Sequence, residues 1–174
     1  MVTSSNEMKK AIDKGFLFNR LWIYQKERFP FFQNGLLIFA FTFSAISYSR
    51  ICRKTAGFID SGEFISGAIT AFFFFFLMRI FDEFKDAQDD AKYRPYRPVP
   101  RGLISLRELG WLGFGIIIIQ IIINFLTMPV MLGVYFPVLI YLFLMTKEFF
   151  VRQWLKAHPA AYMLSHLIIL PLIN

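Results

Sequence analysis

The sequence predicts an all-α, polytopic transmembrane helical bundle of about five spans, and three observations lead there. Of its 174 residues 56% are hydrophobic, 23 are Phe, and the mean hydropathy is +0.51, a balance foreign to an ordinary soluble domain. The apolar residues gather into five stretches, and a helix needs about 20 such residues to cross the hydrocarbon. The 19 Lys and Arg are left between those stretches, rich and poor segments alternating as the positive-inside rule leaves them. A net charge of +7 is therefore read as topogenic, and nucleic-acid binding is set aside because the basic residues are divided among apolar spans. Cys52 is the single cysteine, which excludes an intramolecular disulfide and a multi-cysteine metal site.

Residues 1–30 form the first unit, an N-terminal segment expected on the cytoplasmic side. Lys9, Lys10, Lys14, Arg20, Lys26 and Arg28 are spread through it, and it lacks the apolar core of a signal peptide. Phe16, Leu17, Leu21 and Tyr24 recur at roughly helical spacing against Lys14, Arg20 and Lys26, which predicts a short amphipathic helix lying in the headgroup region. Residues 31–174 form the second unit, the transmembrane helical domain. Its first stretch is Phe31–Tyr48. The second runs from about Phe64 through the five-Phe run, Phe72–Phe76, to Arg79. The third, about Leu109–Leu126, contains a run of β-branched residues that would favour strand in water but is ordinary for a helix in a bilayer. Thr127, Met128 and Pro129 make a tight exit into a fourth stretch, about Val130–Met145, where Pro137 predicts a kink. The fifth starts after His158 and is barely long enough to span.

Counting Lys and Arg gives six in the N-terminal segment, three from Arg50 to Glu63, seven from Arg79 to Arg107, none in the third turn and three from Lys147 to Lys156. The expected orientation follows: an integral protein of a bacterial inner membrane, with the N-terminus and the Arg79–Arg107 segment both cytoplasmic.

That segment carries the functional signal. Asp82, Asp86 and Asp90 follow one another at four-residue intervals, which on a helix puts them on one face with about 40° of drift per step. Like charges so stacked repel, and the C-terminal half of a helix disfavours anions further. Lys85, Lys92, Arg94, Arg97 and Arg101 are interleaved with the acids or follow them. Mg²⁺ is the economical counter-charge, since it takes oxygens from one or two carboxylates and keeps other positions for water and phosphate. Pro95, Pro98 and Pro100 should end the acidic helix near Arg94 and impose an extended loop. An acidic face beside a stiff basic loop is a plausible diphosphate site.

Through Asp82, Asp86 and Asp90, followed by YRPYRPVPRGLIS with its Arg97-Pro98 and Arg101-Gly102 pairs, the chain resembles the UbiA superfamily of membrane prenyltransferases. The stretch ERFPFFQNG before the first span is similar to family N-termini. Family members carry a second aspartate-rich motif in a later half, whereas after Glu108 this chain has one acid, Glu148. The resemblance covers the family's first half, and the helical domain is expected to be incomplete.

The resemblance implies that Mg²⁺ bridges the carboxylates and the diphosphate of a polyprenyl substrate, whose allylic C–O bond breaks so that a hydrophobic or aromatic acceptor can take the prenyl group. Asp82, Asp86 and Asp90 would hold the metal, with Asp89 as the alternative third ligand. Lys92, Arg94, Arg97 and Arg101 would bind phosphate oxygens, Arg being suited to bidentate contact. The competing expectation is a non-catalytic membrane protein, a half-transporter or assembly subunit, that keeps the fold without the chemistry.

Outside the motif structural roles are expected. The Phe run should face lipid or pack, His158 and His166 have no second ligand at metal spacing, and Glu148 should pair with Lys147. Gln120 and Asn124, four apart in the third span, should hydrogen-bond between helices.

Overall fold

The computed structural model describes residues 17–173, so Lys9, Lys10, Lys14, Phe16 and Asn174 lie outside it. The described residues are helical, with no strand among them. In chain order the helices are α1 (Leu17–Arg28), α2 (Phe31–Cys52), α3 (Ser61–Lys85), α4 (Ala87–Tyr93), α5 (Leu106–Thr127), α6 (Leu132–Thr146), α7 (Arg152–Ala157), α8 (Pro159–Leu167) and α9 (Ile169–Ile173). Single 3₁₀ turns, Pro129–Met131 and Glu148–Phe150, precede α6 and α7.

Among the described residues four segments are long and apolar enough to cross a membrane: α2, α3, α5, and α6 with the turn before it. Their outward faces agree with that reading, since Leu37 on α2 and Leu126 on α5 are 69% and 74% exposed, and apolar surface on this scale needs a non-aqueous cover. The expected fifth span differs. Pro159–Ile173 is a shorter apolar segment, divided at Ile168 into α8 and α9. Fifteen residues of ideal helix would reach only about 22 Å, less than the hydrocarbon thickness of roughly 30 Å.

The long helix α3 is the centre, packed against α2, α5 and α6. Ala71, Phe74, Leu77 and Ile80 on α3 meet Leu109 and Ile116 on α5 and Tyr135, Val138 and Leu142 on α6. The five-Phe run packs: Phe74 and Phe76 are buried and Phe72, Phe73 and Phe75 partly so. Gly113 lets α5 come close to α3, for a Cβ there would stand 3.4 Å from Leu77 and 3.5 Å from Ile80.

Polar groups inside the bundle join helices as expected for Gln120. Its Nε2 donates to the Thr70 carbonyl (2.9 Å), and its Oε1 accepts from the Tyr135 hydroxyl (3.1 Å), so one side chain joins α3, α5 and α6. The Asn124 amide donates to the Gln120 carbonyl of its own helix. Pro137 lies within α6 without ending it.

Two ends depart from expectation. Helix α1 is fastened to the bundle: Tyr24 is wholly buried, 6.4 Å from the Phe76 ring, while Phe18 and Trp22 face outward. Gln25 Oε1 accepts from the Phe31 amide and supplies the cap that Pro30 cannot give α2. The loop after α4 is folded into successive turns, not extended, with Arg101 N donating to the Arg97 carbonyl and Leu103 N to the Pro98 carbonyl. It ends on a capping box in which Ser105 and Glu108 satisfy each other's backbone amides.

Candidate functional site at the acidic end of the bundle

Helix α3 ends at Lys85, Asp86 forms a bend, and α4 follows directly at Ala87. The i→i−4 ladder survives the bend: Asp86 N donates to the Asp82 carbonyl (2.9 Å), Asp90 N to that of Asp86 (2.8 Å) and Arg94 N to that of Asp90 (2.9 Å). Asp82, Asp86 and Asp90 thus keep their helical register, and α4 closes at Arg94 as the prolines demand.

Their surroundings differ sharply. Asp82 is half-buried and its Oδ2 accepts from Arg79 Nη1 at 3.3 Å. Asp86 is half-buried, and among the described residues no cation lies within ion-pair distance of it. Asp90 is 2% exposed. Both of its oxygens accept from Arg97 Nη1, at 2.7 and 2.6 Å, and Oδ1 also accepts from Arg94 Nη1 at 3.2 Å. Burial works against the Arg97 charge, but the bonds and field of Asp90 outweigh it and hold the guanidinium above its ordinary pKa. Asp89, the alternative ligand, is exposed and turns instead toward Arg152, 3.5 Å away.

The basic side chains assigned to phosphate are dispersed. Arg97 and Arg94 sit on Asp90, and Arg101 makes a two-pronged contact with Glu27 on α1, both bonds 3.0 Å. Lys92 is exposed with its ammonium 4.8 Å from the centre of the Tyr93 ring. Among the described residues, no three carboxylate, imidazole or thiol side chains converge as a metal shell. Mg²⁺ fits the residues present in a narrower way. Asp82 and Asp86, one turn apart and partly open, are the carboxylates such an ion could take, since it needs only one or two, whereas Asp90 has both oxygens engaged.

Sequence spacing missed the other half of the cluster. Glu83, 2% exposed, lies out of step with the three aspartates and accepts from Arg28 Nε at 2.5 Å, with Arg79 Nη2 3.8 Å away. Tyr24 lies beside it with its hydroxyl buried and without a partner among the described residues, and burial, reinforced by the Glu83 charge, pushes the phenol well above its ordinary pKa. Arg20 pairs with Glu108. Glu148 is buried too, and its Oε2 stands 3.1 Å from Arg152 Nε, so its partner is Arg152 and not the expected Lys147. The only signal of this set in the sequence was the count of carboxylates and arginines at one end.

A second group borders the site. Lys85 Nζ donates to the Tyr162 hydroxyl (2.7 Å) and lies 3.0 Å from His166 Nε2, while His166 Nδ1 is 2.8 Å from the Tyr162 carbonyl. His166 therefore ties α8 to the end of α3, and His158 stacks on Trp154. No family model matches the chain, and no curated protein or solved structure is found similar to it.

Proposed function

We propose that the acidic end of the bundle binds the Mg²⁺-diphosphate of an isoprenoid, as a membrane prenyltransferase of the UbiA type does, and that it serves transfer of the prenyl group to a hydrophobic or aromatic acceptor. The observation that carries the reading is the unbroken register of Asp82, Asp86 and Asp90 across the α3–α4 bend, with Asp86 lacking a cationic partner among the described residues.

Asp82 and Asp86 would hold the ion, whose positive charge would offset the negative charge growing on the departing diphosphate. Arg94 is half-exposed and Lys92 exposed, so both can meet phosphate oxygens without first leaving the protein interior. Arg97 acts differently. Its hold on Asp90 keeps a buried carboxylate neutralised while the site is empty, and a bound diphosphate would compete for the same guanidinium. The cytoplasmic placement of this end follows from the seven Lys and Arg between Arg79 and Arg107.

A second reading rests on the burial of Asp90: the arginine–carboxylate network is a scaffold, and the protein is a non-catalytic membrane subunit. Titration of farnesyl diphosphate into nanodisc-held protein, with Mg²⁺ and then with EDTA, separates the two. Binding that needs Mg²⁺, and that falls at least tenfold in Asp86→Ala without a change in melting temperature, is expected. Binding indifferent to both Mg²⁺ and Asp86 would exclude the metal assignment and leave the scaffold reading.

A further inference from the structure

The far half of the bundle holds a cavity of about 330 Å³ between α2, α3, α5, α6 and α9. Thr70 on its wall precedes Asp82 by 12 residues of one helix, about 18 Å along the axis, so the chamber is separate from the acidic end. Most of the wall is apolar, with Ile46, Phe74, Met131 and Val138 among its residues.

Its polar atoms are out of balance. Thr42 is 6% exposed, and its hydroxyl, like that of Thr70, is buried with no hydrogen-bond partner among the described residues. A threonine in a helix can always return its hydroxyl to the carbonyl four residues back, and Thr127 and Thr146 do so. Thr42 and Thr70 line the cavity instead. An unpaired hydroxyl in a low-dielectric interior costs about 1–3 kcal/mol, so two on one wall, contributed by different helices, call for a guest with polar atoms. Asn124 reaches the same cavity from α5. Among the described residues the only ionised side chain on the wall is Glu63, which is already paired with Arg50 at 3.5 Å.

We propose that this cavity is a binding site for a neutral, lipid-soluble molecule of two fused or linked rings that carries a hydroxyl or carbonyl oxygen. A dry cavity of about 150 Å³ is enough for benzene, and this one is about twice as large, which sets the ring count. With no unpaired charge on the wall to offset an ion, a neutral guest is favoured, and the Thr42 and Thr70 hydroxyls select an oxygen over a plain hydrocarbon. Access comes from the bilayer, where such molecules concentrate.

Equilibrium dialysis of 2-naphthol against nanodiscs with and without the protein tests this, with naphthalene as the oxygen-free control. Saturable uptake of one 2-naphthol per chain is expected, weakened about tenfold when Thr42→Val and Thr70→Val are combined, while the weaker uptake of naphthalene stays unchanged. Ala45→Phe, which fills the cavity from α2, should abolish the saturable uptake of both. Uptake of 2-naphthol no different from that of empty nanodiscs overturns the proposal, as does saturable binding that survives Ala45→Phe in a protein of unaltered melting temperature. Equal loss of 2-naphthol and naphthalene in the valine variant overturns the oxygen preference on which it rests.

Discussion

Asp90 is 2% exposed, and Arg97 meets both of its oxygens while Arg94 meets one. Removing one partner of such a pair leaves an uncompensated buried charge, a change that costs about 3–5 kcal/mol. Arg97→Ala should therefore lower stability by about 3 kcal/mol, the remaining Arg94 contact being half-exposed, and thermal unfolding in detergent against wild type measures it. A loss under 1 kcal/mol would mean that water reaches Asp90. Spacing alone made the shared helical register of Asp82, Asp86 and Asp90 legible, since that needs only a local period. The pairing of Glu83 with Arg28 spans 55 positions and depends on how α1 docks against α3, which no local period encodes. For the same reason Arg101 read as a free phosphate ligand, although Glu27, 74 positions away, occupies it.

Helix ends show what sequence can and cannot state about an element. The prolines correctly closed α4 at Arg94, yet the loop beyond them folds into turns, because a fixed φ permits a turn as readily as an extended chain. Helix α2 closes on a motif with no glycine to announce it. Lys54 takes φ +54° and its amide donates to the Ile51 carbonyl, while the Thr55 amide donates to that of Arg50, the two bonds of a Schellman end. A side chain held in the left-handed region costs about 1 kcal/mol. Lys54→Gly should relieve it, raising stability by about 1 kcal/mol, visible as a higher melting temperature. An unchanged or lower value would show that the Lys54 side chain contributes more than its conformation costs. The apolar length of the fifth stretch was legible, but not its division at Ile168.

For the whole molecule the sequence announced an all-helical bundle, because apolar length and charge between spans are sums that survive ignorance of packing. Four segments of crossing length result among the described residues. The antiparallel course of α2 and α3 places exposed Cys52 and the acidic α3–α4 bend at opposite ends of their spans. With the N-terminus cytoplasmic, a membrane-impermeant maleimide added to intact cells should label Cys52 and should spare a cysteine placed at exposed Gln88 in a Cys52→Ser background. The reverse labelling would invert the orientation and move the proposed diphosphate site to the outer face.

The docking of α1 also dictates an order of events on the ribosome. Its charged anchors are Glu83, Arg101 and Glu108, the last of them made 88 positions after its partner Arg20. The earliest of these helices to be translated is thus fully latched only much later, since its Arg20 contact must wait while two later spans, α2 and α3, are threaded. Nascent chains stalled with only α2 inserted should lose residues 17–28 to protease readily, whereas chains stalled after Glu108 has left the insertion machinery should resist; equal sensitivity at both lengths would show that α1 holds its place by the lipid surface alone.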